Sequence, residues 1–151
     1  MSSDHPDTSS RLNLGVLLRE PFRVGSELLH ERFAERGHAE VRPPHGNVLQ
    51  YLDDAGTRVS VLAGRAQITK QSMAELVAHL ERHGYVERVP DPADRRAKLV
   101  RATPKGEEVY AIAREFVREL ENEWSRRLGR SKLRQLRELL EELNAILPSA
   151  T

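Results

Sequence analysis

A chain of 151 residues, 38% hydrophobic, 31% charged and only 5% aromatic, suits one helix-rich domain with long solvated faces better than an all-β sandwich. It has no cysteine, which excludes disulfides, thiolate zinc sites and cysteine redox switches. No apolar run approaches the roughly 18 residues that span a bilayer, and Met1 to Ser10 lack the apolar core of a signal peptide, so a cytoplasmic location without membrane contact is expected.

Residues 1–10 are polar, contain Pro6 and are expected to form a loose tail. A helix is predicted next, with Leu14, Leu17, Leu18, Phe22, Gly25, Leu28, Leu29 and Phe33 on one stripe and Gly37 as its stop. Pro21 removes a backbone donor inside this pattern, so a kink or two abutting helices are expected. Pro43-Pro44 forbids helix just before His45, and a short helix is predicted from about His45 to Asp53, followed by a turn over 54–57.

Two short helices follow in quick succession. The first takes Ser60 as N-cap and turns Leu62, Ala63 and Ala66 inward. The second takes Thr69 as N-cap, buries Met73, Leu76, Val77 and Leu80, and closes at Gly84. That stripe leaves Lys70, Gln71, Ala74, Glu75 and His79 facing outward. Tyr85–Val89 and Lys98–Ala102 read as two strands around a proline-stiffened, polar tip from Pro90 to Arg96.

Thr103-Pro104 pairs an N-cap with proline at the first helical position and starts a long helix striped by Val109, Ile112, Phe116, Leu120 and Trp124. Gly129 breaks it. Ser131 starts a last helix with seven large aliphatics in the fifteen positions from Leu133 to Leu147. One chain of this size has little left to cover both this face and the equally apolar first helix. The simplest solution packs the terminal helices against a second copy; the plainer alternative is an intramolecular bundle.

Two short helices joined by a tight turn and followed by a basic-tipped hairpin form a winged helix-turn-helix pattern. Such a second helix fits the major groove, and an arginine on the hairpin suits the concentrated negative potential of the minor groove. Charge follows the same layout despite a net charge of only +1. The window from Thr57 to Arg101 holds nine basic and five acidic residues, leaving acidic flanks. The first turn, Thr69-Lys70-Gln71-Ser72, is rich in donors: Lys70 suits guanine or phosphate, Gln71 suits adenine, and Thr69 and Ser72 suit phosphates. Taken alone, this helix reads equally well as an N-cap with solvated polar neighbours.

The stretch from Arg58 to Gly106 resembles the multiple-antibiotic-resistance regulator (MarR) family. The matching residues are Ile68-Thr-Lys-Gln-Ser-Met73, His83-Gly-Tyr-Val-Glu-Arg-Val-Pro90, Asp91-Pro-Ala-Asp-Arg-Arg-Ala-Lys98 and Leu99-Val-Arg-Ala-Thr-Pro-Lys-Gly106. The resemblance implies an α+β, mainly helical winged helix-turn-helix with N- and C-terminal dimerisation helices. It divides the chain into a tail (1–10), an N-terminal dimerisation region (11–44), a DNA-binding lobe (45–103) and C-terminal dimerisation helices (104–151). It implies a homodimer on a pseudo-palindromic duplex operator, often released by a small phenolic or anionic effector, and no cofactor.

Carried onto these positions, the DNA contacts would be Thr69, Lys70, Gln71, Ser72, Ala74, Asp94, Arg95, Arg96 and Lys98. Asp94 would orient Arg96 by a charge-assisted pair, Arg96 would enter the minor groove and Arg95 would lie near phosphate. Arg19, Arg23 and His45 are the candidates to grip an effector anion. Metal binding fits poorly: His79 and His83 share a spacing but no carboxylates complete a set. No phosphate loop, nucleophile elbow or buried acid–base pair suggests an enzyme. The remaining alternative is a winged helix used for protein contacts, which would want a neutral wing and an apolar outward face on the second helix.

Overall fold

The computed structural model describes residues 12–148, so the expected tail at 1–10 lies outside it. Helix α1 spans Leu14–Glu35 as one element, capped by the Asn13 side chain, which accepts from the Val16 N–H. Pro21 sits inside it, so the expectation of two abutting helices is corrected. Proline removes a single main-chain donor, and the rest of a 22-residue helix keeps its own ladder on either side of that gap. Gly37 follows the helix end at φ +88°, the left-handed turn that glycine adopts without strain.

Pro43-Pro44 does not exclude helix. Pro43–His45 is a 3-10 turn, whose first positions need no N–H, and it leads into a four-residue α2, Gly46–Leu49, shorter than the sequence suggests. Helix α3 spans Val59–Ala66 with Arg58, not Ser60, at the N-cap position and no side-chain cap bond. Its end at Gln67 adopts the left-handed region (φ 57°), reversing the chain into α4, Lys70–Arg82. Thr69 caps α4 as expected, accepting from the Ser72 N–H at 3.1 Å.

Gly84 leads into the antiparallel pair β1, Val86–Asp91, and β2, Asp94–Ala102. The strands run closer to the tip than the sequence suggests, leaving only Pro92 and Ala93 as the turn. Thr57 adds an antiparallel bridge to Val100. Thr103 caps α5, Pro104–Leu128, accepting from the Gly106 N–H. Gly129 (φ 103°) ends α5 and precedes α6, Arg130–Ala145, one residue earlier than Ser131.

The core lies among the lobe helices, the hairpin base and the neighbouring parts of α1 and α5. Leu62, Met73, Val77, Leu80, Tyr85 and Val100 are fully buried there, with Phe33, Val109 and Ile112 closing it. The buried Tyr85 hydroxyl donates to Glu40 and meets His38 Nδ1 at 2.9 Å, so burial leaves no unpaired polar atom. By contrast α6 buries no residue at all. Leu14 and Phe22 on α1 are 64% and 77% exposed, and Leu139 and Ile146 near the other end are 61% and 79% exposed. An apolar groove of about 660 Å³ runs between α1, α5 and α6, walled by residues such as Val24, Leu28, Trp124, Leu133 and Leu136.

Candidate nucleic-acid interface

The first turn of α4 presents its polar residues as its apolar periodicity requires. Lys70, Gln71 and Ser72 are exposed, while Met73, Val77 and Leu80 point into the core. Thr69 serves as the cap and donates its hydroxyl to Ser72 Oγ at 2.8 Å, leaving the Ser72 proton available to an outside acceptor. Ala74 is half-buried beside this turn, its methyl only partly open.

The wing holds its arginines in an interruption of the sheet. The register runs regularly from Val86↔Ala102 to Pro90↔Lys98, then jumps to Asp91↔Asp94. Arg95, Arg96 and Ala97 therefore have no cross-strand partner. Pro90 has no N–H to continue the ladder, and a bulge of this kind bends a strand and re-aims its side chains. Asp94 accepts from the main-chain N–H of Arg96 at 3.0 Å. The expected pairing of Asp94 with the Arg96 guanidinium is thus replaced by one with its backbone: the carboxylate satisfies a donor that the broken ladder leaves over.

Arg95, Arg96 and Lys98 are exposed, and among the described residues no carboxylate lies within ion-pair distance of any of them or of Lys70. Many other surface arginines are engaged, Arg23 with Glu20 and Glu27, Arg65 with Asp53, Arg101 with Glu87 and Arg127 with Glu123. Arg82, Arg114, Arg118, Arg130 and Arg134, by contrast, are like the wing arginines exposed without an ion pair among the described residues. Cations left without internal partners, on a donor-rich helix turn and a bulged hairpin, are placed to bind anionic oxygens from outside.

The three residues considered for an effector anion are not brought together. Arg19 is exposed beside Glu20, and Arg23 is held by Glu20 at 2.8 Å and Glu27 at 2.8 Å on the same helix. Neither lines the large apolar groove. His45 is buried away from both, its Nδ1 accepting from the Arg42 N–H at 2.8 Å and its ring stacked on His79 at 4.1 Å.

His79 itself corrects the sequence reading. It does not face outward: the segment after α1 folds over this side of α4, and His79 Nε2 donates to the Glu40 carbonyl at 2.8 Å. Helical periodicity alone has no way to register that cover. No group of three histidine or acidic side chains suited to a metal ion occurs among the described residues.

Burial, aided by the neighbouring His79 and His30, lowers the His45 pKa from its usual 6.5 to about 4. The unfolded chain takes up this proton near 6.5, whereas the folded one resists until about 4. This contribution to stability is therefore complete above pH 6.5 and is lost progressively as pH falls towards 4. Urea unfolding across pH 7.5 to 4.5, a range of about three units chosen to span the shift, should show wild-type stability sloping downward. A His45→Asn variant, which keeps an acceptor for Arg42, should lose most of the slope above pH 5, roughly where carboxylates begin to titrate. An unchanged slope would place the acid sensitivity elsewhere.

Comparisons with known proteins agree with this arrangement. A model of the MarR family matches residues 40–97. The transcriptional regulator HosA of Escherichia coli O111:H- is 35% identical over 72 residues, which is 48% of this chain and 53% of HosA. The chain thus spans about half the length of that curated relative. The HTH-type transcriptional regulator FarR of Neisseria gonorrhoeae is 30% identical over 109 residues, covering 72% of this chain and 75% of FarR. Among solved structures, the transcriptional repressor CouR of Rhodococcus jostii RHA1, bound to a 23-mer DNA duplex, aligns with a TM-score of 0.69 at 26% identity. That alignment covers 90% of this chain and 94% of CouR. With the winged helix-turn-helix in place and FarR matched over most of both chains, this protein belongs to the MarR family.

Proposed function

We propose that this protein is a homodimeric transcription regulator, acting as a repressor, that binds a pseudo-palindromic operator in duplex DNA. The reading is carried by where four exposed, unpaired cations stand: Lys70 on the capped first turn of α4, and Arg95, Arg96 and Lys98 on a bulged wing. In this reading Lys70 and Gln71 meet base edges in the major groove, Thr69 and Ser72 lie by phosphates, and Ala74 offers its methyl to a neighbouring thymine. Arg96 enters the minor groove with its backbone set by Asp94, while Arg95 and Lys98 neutralise phosphates.

The division into a DNA-binding lobe (45–103) and dimerisation helices (11–44 and 104–151) follows from what each part leaves open. The lobe holds most of the buried core, which Phe33, Val109 and Ile112 complete, whereas the outer parts of the terminal helices expose leucine, isoleucine and phenylalanine side chains that a second copy would cover. CouR, described as a repressor on a DNA duplex, and the regulators HosA and FarR support the same direction. A small phenolic or anionic effector would act by preferring a dimer whose two lobes have the wrong spacing, lowering DNA affinity by its differential affinity for the two forms. The polar, cationic wing argues against a protein-contact module.

Selection from a randomised duplex library tests the reading. The expected product is an inverted repeat with half-site centres about 10 base pairs, or roughly 34–36 Å, apart. Recovery of no common sequence would favour the protein-contact alternative.

A further inference from the structure

The recognition helix and the wing are separate arms, and the two residues immediately before α3 are tied to both strands of the wing. The main chain of Thr57 exchanges two hydrogen bonds with Val100 on β2, at 2.8 and 2.9 Å. The side chain of Arg58 reaches β1 instead. Its Nε and Nη2 both donate to Asp91 Oδ2, at 2.9 and 2.7 Å. The other carboxylate oxygen of Asp91 accepts from the Ala93 N–H at the tip, at 2.9 Å. Asp91 is only 8% exposed, unusual for a carboxylate on a projecting hairpin.

The position of this pair matters more than its strength. A two-stranded ribbon is only marginally stable by itself and twists about its base. Here the ladder is interrupted between Pro90 and Asp91, just where Arg95 and Arg96 stand, so strand pairing transmits little order to the tip. Beyond that interruption, the bond from Arg58 links the tip to the body of the lobe. A guanidinium giving two N–H groups to one largely buried carboxylate has a narrow range of geometries, so the contact fixes a direction as well as a distance. The Ala93 N–H, the Arg58 guanidinium and the Asp94 N–H hold the Asp91 carboxyl below its usual range, which keeps it ionised near neutral pH.

We infer that Arg58 and Asp91 are positioning residues that hold the wing tip, and with it Arg95 and Arg96, at a set angle to the helix-turn-helix. The inference rests on the DNA-binding reading for its function, but the rigidity it asserts is measurable without DNA. It also separates Arg58 from a simple phosphate ligand. If Arg58 bound phosphate itself, removing the charge of Asp91 would free it and tighten DNA binding. If it positions the wing, the same change weakens binding.

The test uses the full chain and two readouts. For the first, the absence of cysteine allows spin labels to be placed by Ala93→Cys and Glu75→Cys. The tip-to-α4 distance distribution should be narrow in the otherwise unaltered protein and broad after Arg58→Met or Asp91→Asn. An unchanged distribution in both variants would overturn the inference, whatever the protein does with DNA. Broadening in a protein that binds no selected duplex would keep the positioning role and remove the DNA reading instead.

For the second readout, affinity for a selected duplex should fall by about tenfold with either Arg58→Met or Asp91→Asn, the scale of one good charge-assisted contact. The Arg96→Ala loss should be smaller in the Arg58→Met background than in wild type, because a mispositioned tip has already lost that contact. The exchanged pair, Arg58→Asp with Asp91→Arg, should recover part of the affinity. Additive losses, or tighter binding by Asp91→Asn, would contradict the positioning role. If Arg58→Met fails to fold by circular dichroism, Arg58→Lys keeps the charge but loses the two-donor fork, and the same outcomes apply.

Discussion

Replacing Gly106 with alanine is expected to destabilise the fold by about 3 kcal/mol or more, the upper end of the range for overpacking a core. A β-carbon there would stand 2.3 Å from the Tyr85 carbonyl oxygen and 3.2 Å from Ala102 Cβ. Neither neighbour yields easily. The Tyr85 carbonyl accepts from the Thr103 N–H at 3.1 Å, and the buried Tyr85 side chain is pinned through its hydroxyl to Glu40 and His38. Relief requires α5 to lift away from the hairpin base, taking with it the Thr103 cap and the packing of Val109. A glycine-to-alanine change inside a helix ordinarily stabilises by up to about 1 kcal/mol, so here the sign itself is diagnostic. Gly64 on α3 is the control: nothing lies within 4 Å of its would-be β-carbon, and Gly64→Ala should stabilise. Urea unfolding of both variants checks the pair. A Gly106→Ala protein as stable as wild type would mean that α5 does not seat against the Tyr85 main chain this closely.

The double variant Leu136→Glu/Leu139→Glu is expected to convert the protein to a monomer and to weaken operator binding by at least about 100-fold. These side chains are 43% and 61% exposed on a helix with no fully buried residue, and Leu136 lines the groove shared with α1 and α5. Two carboxylates on that apolar face would be stripped of water if a second copy covered it. The lobe's core does not use α6, so circular dichroism should retain its helix signal. In the proposed dimer two half-site readers are joined, and separating them would cost the affinity that the joining supplies. Once joined, the second lobe binds at the effective concentration set by the dimer, a gain of 10²–10⁴ in broad estimate. Sedimentation velocity and operator titration measure the two effects separately. A variant that stays dimeric would move the interface away from α6.

Much of this was legible because some signals are local. Thr69 and Thr103 carry their caps in one side chain each, and Gly84 and Gly129 supply the positive φ that ends a helix. The apolar stripes of α4 and α5 sort inside from outside by period alone, and the unmatched apolar surface of α1 and α6 shows up as too many leucines for one chain to cover. What the sequence concealed is tertiary. His79 is covered by a segment from 39 residues earlier, and Arg58 meets Asp91 across 33 residues, with nothing local to either that marks a partner. The wing's bulge was hidden because Pro90, Pro92 and the polar residues around them read as loop, whereas pairing to Thr57 and across β1 and β2 draws all but the tip into the sheet. Pro43-Pro44 misleads in the other direction: prolines bar the interior of a helix but suit the first positions of a 3-10 turn.

Whether the exposed cationic wing and the α4 turn bind an operator is measured by fluorescence anisotropy. A labelled duplex from the selection is titrated with wild-type and Arg96→Ala protein at about 50 and 200 mM salt, a range over which phosphate-driven binding changes steeply. Wild type should bind tightly and weaken by several orders of magnitude across that range, and Arg96→Ala should lose at least about tenfold at either salt, the scale of one specific groove contact. Equal affinity of the two proteins, or wild-type binding indifferent to salt, would contradict binding through these groups.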